Sequence, residues 1–115
     1  MPLTLLEAIA TEEGFYVLHS RPNRNNNPGD LEWRPWQEGF GASRGDPRFA
    51  IFPTPQLGFA ALKHLLGFPI YKGKTIMEFA STFAPSDEND TRQYAENIVK
   101  WTGASLDTVI DGMLG

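Results

Sequence analysis

Two adjacent carboxylates, Glu12 and Glu13, stand at the end of an apolar helical pattern and directly before Gly14. In a helix that turns about 100° per residue, Glu13 falls inside the apolar stripe, whereas Glu12 falls at its edge and should reach water. A carboxyl group in a half-apolar setting has its charged form disfavoured, which raises its pKa. A general acid that works near neutral pH needs such a group. The spacing therefore makes Glu13 a candidate catalytic acid.

The same pair of glutamates has a structural explanation. A frayed last turn would let both side chains swing into solvent. Acidic side chains at a helix C-terminus oppose the helix macrodipole, so neither glutamate is placed there for helix stability. The helical geometry alone leaves the catalytic and the structural interpretation equally open.

Several asparagines follow in the segment RPNRNNNPGDLEW. Their side-chain amides both donate and accept hydrogen bonds, which suits the hydroxyl and N-acetyl groups of an amino sugar. Asx-turns would explain the same residues, and on residue type alone this structural explanation is favoured. The candidate substrate-binding amides are Asn25, Asn26 and Asn27.

Further candidate site residues lie on either side of these amides. Asp30 and Glu32 are candidates for the second carboxylate that most glycosidases use, and Glu32 is also a candidate substrate contact, although most acidic residues lie on the surface. Tyr16 could stack on sugar rings together with the aromatic residues near 33–40, but aromatic side chains are more often part of a core.

The segment APSDENDT carries the last candidate substrate contacts, Glu88 and Asn89. On residue chemistry alone, a sugar-binding role for either is the minority interpretation. Asp90 is typical of a helix N-cap, and an acidic residue just before a helix start interacts favourably with the helix dipole.

The composition of the chain limits the classes of function. Its 115 residues are 41% apolar and 12% aromatic, which is enough for one globular domain. A net charge of −4 argues against nucleic acid as a partner. With no cysteine and only two histidines, we expect no metal and no other cofactor. We also expect a monomer without a membrane span or a signal peptide.

Capping signals predict a mainly α fold of about five helices, with a small irregular and β segment between the first two. A capping box opens the first helix at Thr4, and Gly14 ends it. No helical period persists over 15–53, where 49–52 is typical of a short strand. An irregular stretch of this length is uncommon unless it is functional, so we expect it to line a binding cleft. The other helices are predicted to begin at Thr54, Thr75, Asp90 and Ser105.

Four segments, in order along the chain, resemble one protein family. They are EEGFY, RPNRNNNPGDLEW, FAIFPTPQLGFAALKHLL and YKGKTIMEFASTFAPSDENDTRQYAENIVKWTG. The family consists of small phage and prophage domains of lysozyme-like character, often labelled virion structural proteins. More distantly, the pattern is similar to peptidoglycan glucosaminidases and lytic transglycosylases. The resemblance covers roughly residues 7 to 110.

The resemblance implies a single lysozyme-like domain over 1–115 that cleaves the glycan strands of bacterial peptidoglycan. It assigns the catalytic glutamate to Glu13, the cleft-lining Asn/Pro/Gly motif to 25–29, and a Glu-Asn-Asp motif to 88–90. Many relatives have asparagine where this chain has Asp30, which leaves open whether Asp30 is catalytic. It also implies a phage or prophage setting, in the virion or released onto the cell wall by lysis.

Two mechanisms and one non-enzymatic alternative stay open at this point. A second carboxylate about 6.5–9.5 Å from the acid would allow an inverting attack by water. Without one, Glu13 would act as acid and then as base, while the 6-hydroxyl of the sugar closes an anhydro product. The chain is thus expected to be a muramidase or a lytic transglycosylase; the alternative is a non-catalytic peptidoglycan-binding or virion structural module.

Overall fold

The computed structural model describes residues 1–45, 48–84 and 90–115. These residues are mainly helical, which confirms the predicted fold class. The α-helices are α1 (Leu5–Glu12), α2 (Arg21–Arg24), α3 (Pro55–Leu66), α4 (Ile76–Phe83) and α5 (Thr91–Thr102). Two 3-10 helices cover Pro35–Phe40 and Ile110–Met113, and strands β1 (Ser43–Arg44) and β2 (Ala50–Ile51) form an antiparallel pair.

The chain divides into two compact units. The helical unit comprises Met1–Ala8 and Leu65–Gly115, and the loop unit comprises Ile9–His64. Each unit contains its own buried apolar residues. In the part of the chain that the structure describes, no helix combines the length and the apolar composition needed to cross a membrane.

Reciprocal capping hydrogen bonds lie at the N-termini of two helices, α1 and α4. At α1, the Glu7 amide donates to Thr4 Oγ1 at 3.1 Å and the Thr4 amide donates to Glu7 Oε1 at 2.9 Å. At α4, Thr75 and Glu78 make the same pair at 3.2 and 2.9 Å. Each pair satisfies two backbone donors that the helix itself leaves without partners. Both predicted capping boxes are therefore confirmed.

Backbone pairing ties the start of α4 to the C-terminal segment. The amides of Ile76 and Met77 donate to the carbonyls of Thr108 and Leu106, at 2.9 and 3.0 Å. The Ile110 amide in turn donates to Lys74 O at 2.9 Å, so it is not available to Leu106 O as a helix that starts at Ser105 would require. The predicted start of the last helix is accordingly wrong, because helical structure resumes only in the second 3-10 helix.

Aromatic packing and one long-range backbone hydrogen bond stabilise the helical unit. The rings of Phe79 and Phe83 stack at 5.0 Å between centroids, and Tyr71 lies 5.6 and 6.1 Å from them. Burial raises the pKa of the Tyr71 hydroxyl. The Leu3 amide donates to the Trp101 carbonyl at 2.9 Å, which joins the N-terminal segment to the end of α5.

A short antiparallel ladder organises the loop unit. Arg44 pairs with Ala50 in β1 and β2. The Ala50 amide also donates to Leu31 O at 3.0 Å, and the Trp33 amide donates to Arg48 O at 2.9 Å. The strand predicted within 49–52 is therefore confirmed. The buried cluster on this ladder consists of Ala42, Ala50, Phe52 and Ala61, with Trp33, Trp36 and Phe40 packed against it.

The sequence pattern does not predict two short helices of the loop unit. Helix α2 has four residues, is capped by Ser20 Oγ and carries a proline in its first turn. The first 3-10 helix is opened by Gln37, whose Oε1 accepts from the Arg34 amide at 2.8 Å. Both helices are too short for an apolar period to appear.

Candidate active site

Helix α1 ends in a Schellman turn. The Gly14 amide donates to Thr11 O at 3.1 Å, and the Phe15 amide donates to Ala10 O at 2.9 Å. Gly14 has a φ of 80°, a left-handed conformation that glycine adopts without steric cost. The predicted helix end is confirmed, and Glu13 occupies the position directly before the left-handed residue.

Glu12 and Glu13 are both half-buried at this helix end. The Glu13 amide donates to Ile9 O at 3.0 Å, so Glu13 continues the helical bonding. Its half-burial agrees with its place on the helical wheel. Oε2 of Glu12 is also shielded from solvent. Glu12 and Glu13 thus fall in the same burial class, without the difference that the helical wheel predicts.

The burial of Glu12 follows from the burial of Ala8, which is 0% exposed. With Leu5 at zero and about 100° per residue, Ala8 lies near −60° and Glu12 near −20°. Glu13, near 80°, lies on the other side of the same buried arc. The half-buried end of α1 therefore holds two carboxyl groups instead of the one that the apolar stripe predicts.

An apolar loop, residues 14–20, follows α1 directly. Ser20 Oγ donates to Gly14 O at 2.7 Å and so joins the two ends of the loop. The large apolar side chains that it exposes are Tyr16, Val17 and Leu18, with exposed fractions of 57%, 61% and 73%. The predicted substrate contact Tyr16 is thus exposed and close to Glu13 in the chain.

Two of the predicted amides bond to backbone within the loop unit. Asn27 is fully buried; its Nδ2 donates to Leu31 O and Ala50 O, both at 3.0 Å, and its Oδ1 accepts from the Leu31 amide at 2.9 Å. Nδ2 of Asn26 donates to Phe52 O at 3.0 Å. Both side chains therefore hold the loop unit together. Their contact with a sugar stays a prediction.

The side-chain amide of Asn25 differs from those of Asn26 and Asn27 in its hydrogen bonding. Asn25 is only 5% exposed, and its Nδ2 has no hydrogen-bond partner among the residues that the structure describes. Its backbone carbonyl accepts from the Phe52 amide at 2.9 Å. A buried amide donor without an acceptor costs free energy. Asn25 thus has a donor group that the described part of the fold does not use.

Helix α3 approaches the asparagine segment closely at Gly58. A Cβ atom there would overlap the Asn26 carbonyl oxygen and lie 2.7 Å from Pro28 Cδ. Asn26 and Asp30 have φ values of 52° and 47°, in the left-handed region that Asn and Asp tolerate better than most residues. The backbone here is fixed by close packing and by local side-chain chemistry together.

Both candidates for a second carboxylate are paired with arginine. Asp30 accepts from Arg21 through both oxygens, with a shortest distance of 2.6 Å. Glu32 lies 3.2 Å from Arg48 and 4.0 Å from Arg34. The hydrogen bond from Arg48 holds the pKa of Glu32 below its usual range.

The two arginine–carboxylate pairs share the ring of Phe49. Cζ of Arg21 lies 3.6 Å from the ring centroid and Cζ of Arg48 lies 5.1 Å from it, which is the geometry of cation–π contacts. Sequence reasoning missed this cluster. Its signal was the alternation of arginines with acidic residues near an aromatic residue, but the pairs are 9 and 16 residues apart and no helical spacing links them.

The remaining predicted site residues lie around the start of α5. Glu88 and Asn89 fall outside the described residues. The Asp90 side chain accepts from the Gln93 amide at 3.1 Å, which confirms Asp90 as an N-cap. Within 1–45, 48–84 and 90–115, no group of three His, Asp or Glu side chains is placed to hold a metal ion.

Comparisons with known proteins do not assign a family. No protein-family model matches the chain, and no curated protein matches it significantly. The lysozyme-like fold and the phage-domain family therefore stay predictions from the sequence.

Proposed function

We propose that this protein cleaves the glycan strands of bacterial peptidoglycan, with Glu13 as the general acid. The proposal is carried by the half-buried carboxyl groups of Glu12 and Glu13 at the Schellman end of α1. The proposed acid holds a proton when the substrate binds and gives it to the leaving sugar oxygen.

The arginine pairs of Asp30 and Glu32 favour a mechanism with one catalytic carboxyl group. Glu13 gives its proton to the glycosidic oxygen as the bond from that oxygen to C1 of the muramic sugar breaks. The 6-hydroxyl of the same sugar then bonds to C1 and returns its proton to Glu13. The product is a 1,6-anhydro sugar, as in a lytic transglycosylase. Attack by water in place of the 6-hydroxyl would make the enzyme a muramidase, and neither route needs a cofactor.

Two of the predicted substrate contacts fit this proposal best. Tyr16 is exposed three residues after the proposed acid, and the Nδ2 donor of Asn25 is not used by the described fold. An aromatic ring can pack against a sugar face, and an amide donor can bind an N-acetyl carbonyl. We expect the enzyme to act as a monomer on the cell wall, in a phage or prophage setting.

The decisive experiment is Glu13→Gln, which keeps the side-chain shape and removes the proton donor. We expect a loss of about 10²-fold or more in the release of glycan fragments from purified sacculi. Thermal stability should stay equal or rise, because a half-buried carboxyl group is replaced by a neutral amide. Turbidity of the sacculi gives the rate, and mass spectrometry separates anhydro ends from reducing muramic acid ends.

Glu12→Gln is the matched control, since Glu12 is a half-buried neighbour in the same helical turn. We expect it to keep most of the activity. If Glu12→Gln were inactive while Glu13→Gln cleaved normally, the two roles would be exchanged. Full activity in both variants would place the catalyst elsewhere and end the proposal.

Asp30→Asn tests how many carboxyl groups the reaction uses. Asparagine keeps one acceptor for Arg21 and removes the charge, so we expect a modest loss of activity. A loss as deep as that of Glu13→Gln would instead make Asp30 a catalytic partner, as first predicted, and would indicate a two-carboxylate mechanism.

The arginine pairing of Asp30 and Glu32 also supports a second candidate function, a non-catalytic peptidoglycan-binding or virion structural module. Such a module needs no carboxyl pair. It would sediment with sacculi while their turbidity stays constant, whereas the proposed enzyme lowers the turbidity.

A further inference from the structure

We infer that Arg21 is a positioning residue for the sugar contact proposed at Asn25, and that it acts through its pair with Asp30. The inference rests on the proposed function, because it concerns substrate binding at the same site. It starts from the two different bonds of Arg21, which reaches Asn25 through its backbone carbonyl and Asp30 through its guanidinium.

The pair of Arg21 and Asp30 closes a short segment of the chain. Nε of Arg21 donates to Asp30 Oδ1 at 3.0 Å, and Nη2 donates to Oδ2 at 2.6 Å. The planar guanidinium thus meets both oxygens of a carboxylate whose side chain is only 10% exposed. Such a two-point contact fixes the direction of the two side chains as well as their distance.

The ring of Phe49 fixes the guanidinium from a second side. Cζ of Arg21 lies 3.6 Å from the ring centroid, and Phe49 is itself buried. Phe49 also pairs with Glu32 in an isolated antiparallel bridge, so the ring belongs to the backbone ladder of the loop unit. The Arg21 side chain therefore joins the segment that ends at Asp30 to this ladder.

Asn25 lies inside the segment that the pair closes. Its amide donates to Arg21 O at 3.1 Å, and its carbonyl accepts from the Phe52 amide at 2.9 Å. The side-chain Nδ2 of Asn25 is buried and has no hydrogen-bond partner among the residues that the structure describes. Arg21 and Phe52 thus fix the backbone of the residue that carries this unused donor.

The closed segment contains backbone that should relax when the pair is broken. Asn26 and Asp30 have φ values of 52° and 47°. Residues with a Cβ atom adopt this region at a cost in free energy and keep it only where surrounding contacts hold them there. Loss of the Arg21 guanidinium would also leave a shielded Asp30 carboxylate without this cation. We therefore expect a substitution of Arg21 to displace the amide of Asn25.

A double-mutant cycle in the full-length Glu13→Gln protein tests the inference without cleavage. Purified sacculi are the probe, and bound protein is measured by co-sedimentation. We expect Asn25→Ala to weaken binding by about three- to tenfold, the usual effect of one hydrogen bond. Arg21→Gln should weaken it by about threefold, but by less than about 1.5-fold when Asn25 is already alanine.

The cycle separates positioning from two other roles of Arg21. A residue that touches the glycan itself would weaken binding equally in both backgrounds. A residue that only stabilises the fold would leave binding unchanged at temperatures well below the melting transition. Thermal melts of every variant therefore set the temperature of the binding assay.

Removal of the second charge should rescue binding. Arg21→Gln combined with Asp30→Asn replaces the ion pair by two neutral amides that can bond to each other. We expect this double variant to bind within about twofold of the Glu13→Gln parent, because no unpaired charge is left in the segment. Arg21→Lys keeps the charge but not the two-point contact, so its loss should be intermediate. It also serves if Arg21→Gln does not fold.

Arg48→Gln is the matched control. Arg48 pairs with a different carboxylate, that of Glu32 at 3.2 Å, and its Cζ lies 5.1 Å from the same Phe49 ring. The segment between Glu32 and Arg48 does not include Asn25. We expect this variant to keep binding within about twofold of the parent, as for an exposed ion pair.

Parent-like binding by Arg21→Gln or by Asn25→Ala would overturn the inference, as would an equal loss from Arg21→Gln in both backgrounds. An equal loss in Arg48→Gln would also overturn it, since it would indicate general loosening of the loop unit. The proposed cleavage is judged separately with the protein that retains Glu13. If that protein cut no glycan while the cycle came out as expected, the proposed catalysis would end and the positioning role of Arg21 would stand.

Discussion

The helical unit and the loop unit are each stabilised internally, but by different kinds of hydrogen bond. In the helical unit, side chains cap helices by bonding to backbone groups three residues away. In the loop unit, asparagine side chains bond to backbone carbonyls 23 and 26 residues away. The second arrangement fixes an irregular backbone that has few regular hydrogen bonds of its own. The proposed catalytic residue, Glu13, lies in this loop unit.

The two units also differ in charge. The helical unit contains four Lys or Arg and eight Asp or Glu, so it accounts for the whole net charge of −4. The loop unit has six of each sign and is neutral. It contains five of the six arginines of the chain, and three of them pair with Asp30 or Glu32. The net negative charge of the chain therefore comes from the helical unit, whereas the loop unit is neutral and rich in arginine.

The largest effect should come from Gly58→Ala in the loop unit. The added Cβ would overlap Asn26 O and crowd Pro28, so part of the asparagine segment or of α3 must shift. We expect a loss of about 3 kcal/mol in unfolding free energy, measured by urea denaturation. Gly39→Ala is the control, since its Cβ would meet no atom within 4 Å. A similar stability for both variants would show that the contact at Gly58 relaxes freely.

Asn27→Ala should have the next largest effect. It removes three hydrogen bonds and leaves the buried Leu31 amide without its Asn27 acceptor. We expect a loss of about 2–3 kcal/mol in the same urea experiment. Amide hydrogen exchange should quicken at Leu31 and Ala50. Unchanged exchange at both positions would mean that the ladder does not depend on this side chain.

Thr75→Ala tests the corresponding side-chain-to-backbone hydrogen bond in the helical unit. It removes the Oγ1 acceptor of the Glu78 amide but leaves the other first-turn donors of α4 paired with Thr108 O and Leu106 O. We expect a loss of about 1 kcal/mol, typical of an N-cap substitution. If Thr75→Ala proved more destabilising than Asn27→Ala, the contrast between short-range and long-range stabilisation would be reversed.

The smallest effect is expected from Glu32→Gln, and it depends on pH. Arg48 lowers the pKa of Glu32 in the folded state, so the contribution of this pair is present above the unfolded pKa near 4.5. It is lost as the pH falls through the folded pKa. Melting temperatures of parent and variant should therefore differ slightly at pH 7 and converge in acid. A gap that widens in acid would contradict the sign of this linkage.

The ends of most helices were predictable because their determinants are local. Thr4 with Glu7, Thr75 with Glu78, and Asp90 with Gln93 are short-range pairs that can be recognised in the sequence. Gly14 and Gly103 mark helix ends for the same reason, since each adopts a left-handed conformation there. The predicted last helix failed because the carbonyls near Ser105 bond to the start of α4, which is distant in the chain.

The candidate site was predictable only in part. The helical wheel predicted the half-burial of Glu13 at the end of α1. It did not predict the half-burial of Glu12, because Ala8 is also buried and widens the buried face of the helix. The pairing of Asp30 with Arg21 depends on a left-handed backbone at Asp30 and on a nearby Phe49 ring, neither of which has a periodic signal. Tertiary partners, rather than residue type, decide the setting of these carboxylates.

The backbone bond from Leu3 to Trp101 has a consequence for synthesis on the ribosome. The loop unit is one continuous segment, so its residues are complete once residue 64 has emerged. The first eight residues belong to the other unit, and their partner Trp101 is made much later. At about 5–20 residues per second, Leu3 waits roughly 5–20 s for this partner. The segment around Leu3 is thus made before the loop unit and gains this partner only after the loop unit is complete.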